Sequence, residues 1–137
     1  MNLFYRTEGA GPPLIILHGL FGSSDNWLSH ARALGKNHKV YLIDQRNHGA
    51  SPHADEFTYD MMVQDLLYFI KQHDLIRPEI MGHSMGGKVA MLFATKYPDQ
   101  LNKLIVVDIA PKFYPVHHNV ILEGLKAIPV DKITTRE

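Results

Sequence analysis

Glu79-Ile80-Met81-Gly82-His83-Ser84-Met85-Gly86-Gly87-Lys88 is the stretch whose reading decides the fold. Its first three residues read as a short strand. From Gly86 onward, Val89, Phe93 and Tyr97 recur at helical spacing, and Pro98 closes that helix. Between the two lies Gly82-His83-Ser84-Met85-Gly86, a Gly-x-Ser-x-Gly pattern on a strand-to-helix turn. A serine there must adopt a strained backbone so that its hydroxyl projects above the sheet. The residues two positions either side must then lack side chains, or strand and helix collide. Gly82 and Gly86 meet that need, and Gly87 is expected to add slack. Ser84 is therefore the candidate nucleophile, and the backbone N–H of Met85 beside it a candidate oxyanion donor.

Working outward, further aliphatic runs frame this turn. Leu14-Ile15-Ile16-Leu17 ends in His18-Gly19, Val40-Tyr41-Leu42-Ile43 ends in Asp44, and Leu104-Ile105-Val106-Val107 ends in Asp108. Continuous rather than alternating apolar runs indicate strands buried on both faces. Leu3 to Thr7 alternates weakly and reads as an edge or hairpin strand. Helical patterns separate the runs: Trp27, Ala31 and Leu34 after the capping candidates Ser23, Ser24 and Asp25, and Met62, Leu66, Phe69 and Ile70 within Tyr59 to His73. Strict alternation of strand and helix predicts an α/β fold, a mostly parallel sheet with helices on both faces and right-handed crossovers. No internal repeat or low-complexity segment is present, so one domain is expected.

Two more loops carry chemistry. His18-Gly19-Leu20-Phe21-Gly22 follows the first aliphatic run, and its Leu20 N–H is the expected second oxyanion donor, since Gly19 lets the chain turn tightly. Asp44-Gln45-Arg46-Asn47-His48-Gly49-Ala50-Ser51 follows the next strand. Asp44 and Arg46 are expected to pair and order the loop beneath the site, with Gly49 and Ser51 shaping the turn.

Lys plus Arg and Asp plus Glu both number 14, a net charge of zero, so neither nucleic acid nor an anionic membrane is an expected partner. Cysteine is absent, which excludes disulfides and thiolate metal sites. No secretory signal and no apolar run of spanning length is visible, and a cytoplasmic protein is the expectation.

These motifs in this order resemble the α/β-hydrolase superfamily. His-Gly-Leu-Phe-Gly-Ser-Ser-Asp-Asn-Trp (18–27), Asp-Gln-Arg-Asn-His-Gly-Ala-Ser-Pro (44–52) and Gly-His-Ser-Met-Gly-Gly-Lys (82–88) look most like the YbfF-type acyl esterases. The resemblance runs from the first strand to the last residue and covers roughly the first half of such an enzyme, set against the ~200–250 residues one α/β domain commonly needs. It implies residues 1–115 as the N-terminal part of the core, 116–137 as the start of a lid, and a chain that stops before the last strands. Thr134 and Glu137, spaced as a capping box, reinforce the reading of an interrupted helix. An incomplete sheet would invite self-association.

The resemblance also implies the acid. The YbfF-like group carries it in Val-Asp-Ile-Ala-Pro, which Val107-Asp108-Ile109-Ala110-Pro111 matches, whereas most of the superfamily places it after a later strand. From the residues alone, Asp108 caps a strand at the same sheet edge as Ser84 and serves either as orienting acid or as a loop cap. The base in this superfamily arrives last, and none of the nine histidines matches that position. His18 and His83 belong to structural motifs; His30, His38 and His73 fall on or beside helices and are expected to be solvated. His53 follows a loop proline, and His117-His118 opens an amphipathic helix expected over Val116 to Ile128. No pair shows the spacing of a zinc helix, so neither metal nor cofactor is expected.

The expected function is hydrolysis of esters or thioesters of small to medium acyl groups, with a small-molecule substrate. A non-catalytic or inactive domain of the same fold is the alternative, supported by the unmatched base. C–C bond hydrolases and haloperoxidase-like enzymes share these motifs, whereas dehalogenases and epoxide hydrolases place an aspartate where this chain has Ser84. Phe21, Trp27, Phe113 and Tyr114 each either line the acyl side or belong to the core.

Overall fold

The computed structural model describes residues 1–114 and 119–129. Five strands form one sheet: β1 (Tyr5–Glu8), β2 (Pro13–Leu17), β3 (Lys39–Ile43), β4 (Glu79–His83) and β5 (Lys103–Val107). Their spatial order is β1-β3-β2-β4-β5, with β1 antiparallel to β3 and every other pairing parallel. The weakly alternating N-terminal run is thus the edge strand its pattern predicted. The helices are α1 (Leu28–Leu34), α2 (Tyr59–Gln72), α3 (Met85–Lys96) and α4 (Asn119–Lys126). A 3-10 turn, Ser24–Trp27, leads into α1, and the Ser23 N–H donates to Asn26 Oδ1 at 2.8 Å ahead of it. The helix expected over Val116 to Ile128 is described from Asn119 on; residues 115–118 and 130–137, which include His117, His118 and the Thr134–Glu137 pair, lie outside the described residues.

Strand order explains the layers. From β2 the chain crosses to β3 on one side, then back over β2 to β4 on the other, and on to β5. Right-handed crossovers at each step put α1 on one face and both α2 and α3 on the opposite face. Two separate core clusters show that division. Leu14, Ile16, Val40 and Leu42 pack with Ala31 of α1. Ile15, Leu17, Tyr41, Ile43 and Ile80, one step out of phase along the same strands, pack with Met62, Leu66, Phe69, Val89 and Phe93. Each buried Val, Leu, Ile, Met and Phe side chain among them contributes roughly 1.5–3 kcal/mol of transfer free energy.

The continuous runs of β2 and β3 are buried on both faces as expected. β5 departs from that reading. It pairs only with β4 among the described residues, and Leu104 is 38% exposed. Its uniform apolarity marks a strand with one uncovered flank in the described chain.

The reversal of direction at β2 has a functional consequence. The loop leaving β2 turns toward α1, while the loop leaving β4 turns toward α3 on the other face. A crevice opens between their C-terminal ends, the topological switch point where open α/β sheets bind ligands.

Candidate active site

Ser84 sits at that crevice, between β4 and α3, with φ 50° and ψ −113°. A non-glycine residue at positive φ is uncommon and costs of order 1–3 kcal/mol, so the surroundings must impose it. They do so from both sides. The Ser84 N–H donates to Val107 O at 3.0 Å, and its carbonyl accepts the Lys88 N–H at 3.1 Å. The glycines are needed as predicted. A Cβ on Gly82 would lie 2.3 Å from Gly86 O, and one on Gly86 would lie 2.5 Å from Leu17 O. Gly87 does not add slack: a Cβ there would meet Ile109 Cγ2 at 2.5 Å, so its role is close packing.

The Gly19–Gly22 turn lies against this serine. A Cβ on Gly19 would stand 3.3 Å from Ser84 Cβ and 2.9 Å from His83 Nδ1, so glycine lets the two loops touch without displacing either side chain. His18, 1% exposed, shapes the turn from beneath. Its Nε2 accepts the Gln45 N–H at 3.1 Å, which leaves the proton on Nδ1 to donate to Gly19 O at 2.8 Å. That carbonyl also accepts the Gly22 N–H at 3.0 Å. In a trans peptide, C=O and N–H point in opposite directions. Fixing Gly19 O therefore turns the Leu20 N–H away from the His18 network. Neither Leu20 nor Met85 finds an acceptor for its N–H among the described residues. Burial holds the His18 ring below its ordinary pKa, against the opposing pull of its bond to Gly19, and keeps it neutral as this arrangement requires.

Asp44 and Arg46 each order their loop, but not by pairing with one another. Asp44 accepts backbone N–H groups, from Ser24 at 2.6 Å and Ala50 at 2.9 Å. It thereby ties the loop after β2 to the loop after β3, and Gly49 leaves room for its carboxylate. Arg46 is buried against Asp65 of α2, Nε to Oδ2 at 2.5 Å and Nη2 to Oδ1 at 2.9 Å, and its Nη1 donates to Glu56 O at 2.6 Å. The hydrogen bonds to Asp65 raise the Arg46 pKa above its already high ordinary value. Asp65 escaped the sequence reading, although it left a signal: an acid three residues after Met62 on the otherwise apolar stripe of α2.

Asp108 follows β5 with φ 54° and an exposed carboxylate. Its Oδ2 lies 4.0 Å from His83 Nε2. No described histidine hydrogen-bonds to Ser84. His48 is buried, with its Nδ1 2.9 Å from Arg46 O, and His73 packs on Phe69 at 4.4 Å between ring centres, so it is less solvated than expected.

Ser84 opens into a mostly apolar cavity of about 520 Å³, bounded by Leu20, Phe57, Met62, Met85 and Ile109. Tyr114 also lines it, while Phe113 is 85% exposed. Phe21 and Trp27 line a separate cleft of about 390 Å³ on the other side of the Gly19–Gly22 turn. The contributions of Phe57 and Met62 were not read from the sequence, since nothing local to α2 shows that its start overhangs Ser84. Chemically, the arrangement offers a serine hydroxyl, two backbone donors, a carboxylate on the neighbouring strand and an apolar hollow beside them. No described helix is long and apolar enough to cross a membrane.

Comparison with known proteins agrees with the fold. The profile of the alpha/beta hydrolase fold family matches residues 12–130. The chain is 42% identical over 137 residues to the sn-1-specific diacylglycerol lipase ABHD11 of Danio rerio, covering 95% of this chain and 43% of that protein. It is 37% identical over 126 residues to esterase YbfF of Escherichia coli, covering 91% of this chain and 50% of the relative. A solved marine microorganism esterase superposes with a TM-score of 0.92 at 52% identity, over 98% of this chain and 54% of its own. The chain thus spans about half the length of these relatives. Strand order, the strained Ser84 turn and these matches together place the chain in the alpha/beta hydrolase fold family.

Proposed function

We propose that this sequence forms the nucleophile-bearing half of a serine hydrolase for esters or thioesters of small to medium acyl groups. The observation that carries the reading is Ser84 at positive φ on the β4–α3 turn, facing an apolar cavity lined in part by Leu20 and Met85, whose N–H groups have no other acceptor among the described residues. Ser84 Oγ attacks the acyl carbonyl as its proton passes to a histidine. Negative charge on the former carbonyl oxygen is met by the two N–H groups, and collapse expels the alcohol or thiol with that proton. Water then attacks the acyl-serine, and the free acid leaves. No cofactor enters.

Asp108 is the acid that orients and stabilises the imidazolium. Its exposed carboxylate stands where a ring from outside the described residues can meet it. The acyl chain lies in the cavity beside Phe57 and Met62.

The test is labelling of the full-length protein with a fluorophosphonate, with Ser84→Ala as control. Covalent labelling that disappears in the variant is expected. Labelling that survives in Ser84→Ala, or its absence from the folded full-length protein, overturns the reading in favour of a non-catalytic domain.

A further inference from the structure

Lys88 is the fourth residue of α3, one turn past Ser84. A cation in the first turn of a helix is opposed by the helix dipole, so an ordinary solvated lysine would be better placed at the other end. Its ammonium is not left to water. Nζ donates to Ala110 O at 2.7 Å and to Lys112 O, and stands 4.8 Å from the centre of the Tyr114 ring. The same segment is closed on itself: the Ala110 N–H donates to Tyr114 Oη at 3.1 Å, and the Lys112 N–H to Ala110 O at 2.8 Å. An ammonium has three donors, and two are committed to carbonyls of one loop. That loop begins at Asp108, whose own φ of 54° needs external support.

We propose that Lys88 is a positioning residue: its ammonium ties the loop that follows Asp108 to the helix that begins after Ser84, and so fixes where the acid stands relative to the nucleophile. The inference rests on the hydrolase reading above. Helix α3 is the natural anchor because its first turn also holds Ser84 in its strained conformation, through the Lys88 N–H to Ser84 O bond. Backbone and side chain of one residue thus hold the two ends of the catalytic arrangement. A neutral side chain of similar length, such as methionine, keeps the packing and the backbone bond but loses both loop contacts. Misplacement of a catalytic group by about 1 Å can cost up to a hundredfold in rate.

The experiment compares Lys88→Met, Asp108→Asn and the double variant with wild type, all in the full-length protein. Lys88→Met is expected to lower kcat about tenfold, with KM changed less, and to add no further loss in the Asp108→Asn background. Exchange of the Ala110 and Lys112 amides is expected to quicken about tenfold or more as the loop opens, while β4 amides keep their protection. An equal kcat loss in both backgrounds, an unchanged kcat, or unchanged loop exchange overturns the proposal. Should Asp108→Asn itself leave hydrolysis intact, the acid assignment falls and the positioning role with it; the exchange data would then still show whether Lys88 clamps the loop.

Discussion

Removing one partner of the Arg46–Asp65 pair should be far more damaging than its distance from Ser84 implies. The two side chains are 3% and 4% exposed and joined by two hydrogen bonds, with charge centres about 4 Å apart. At an effective dielectric of about 20 the attraction is roughly 4 kcal/mol, and Asp65→Ala would leave a buried guanidinium with Glu56 O as its remaining partner. The expected cost is about 3–5 kcal/mol, a fall in Tm of roughly 10–15 °C for a folded unit of 137 residues. The exposed Arg6–Asp25 pair, at 44% and 62% exposure, is the internal control: Asp25→Ala should cost less than about 1 kcal/mol. Urea unfolding followed by the fluorescence of Trp27, the single tryptophan, measures both. The double variant Arg46→Met/Asp65→Leu should recover most of the loss, because it removes the stranded guanidinium along with its partner and leaves only the partly exposed Met1 ammonium, 2.9 Å from Asp65 Oδ1, without its carboxylate. A cost for Asp65→Ala no larger than for Asp25→Ala would refute the reasoning, as would a double variant as unstable as the sum of its parts.

Gly86→Ala should destabilise by about 1–3 kcal/mol, since its Cβ would press on the backbone carbonyls of Leu17 and His18. It should also abolish fluorophosphonate labelling, and a variant with unchanged melting and labelling would show that the turn is not so tightly built. His18 gives a pH dependence whose sign follows from its depressed pKa. Below the ordinary value of 6.5 the unfolded chain takes up a proton that the folded ring refuses, so stability falls with pH until the folded ring also protonates, by at most about 1.4 kcal/mol per unit. The separation between the stability curves of wild type and His18→Gln should change only below that value; parallel curves would sink the assignment. Met62→Trp should fill the cavity beside Ser84 and lower kcat/KM for octanoyl esters at least about tenfold relative to acetyl esters, read from a chain-length series.

The sequence was most legible where chemistry dictates backbone shape locally. Gly82, Ser84 and Gly86 could be assigned because a strand-to-helix turn with an outward serine leaves no space for other residues at the flanking positions, and the crowding around each glycine is the same constraint seen in space. The aliphatic runs announced β2 and β3 because strands covered on both faces cannot alternate. Legibility fell where a short polar side chain can choose among several partners. Asp44 and Arg46, two residues apart and opposite in charge, suggested a pair, yet backbone amides took the carboxylate and Asp65 took the guanidinium. His73 is less solvated than its place at a helix end suggests, because Tyr5 and Tyr41 reach it from β1 and β3.

Taken alone, the sequence determined the alternation of strand and helix, the strained serine turn and the two glycine-framed loops at the strand ends. All follow from short-range rules of sterics and periodicity. Only the tertiary structure decided that His18 turns the Gly19–Leu20 peptide, that Asp65 holds Arg46, that the start of α2 walls the cavity, and that Lys88 reaches the loop after Asp108. Apart from the bond between His18 and its neighbour Gly19, those contacts join residues 19 to 27 positions apart, and they exist because the chain reverses direction at β2 and brings the loops after β2, β3, β4 and β5 to one edge of the sheet. The order of strands in space, which no local pattern encodes, chose the partners.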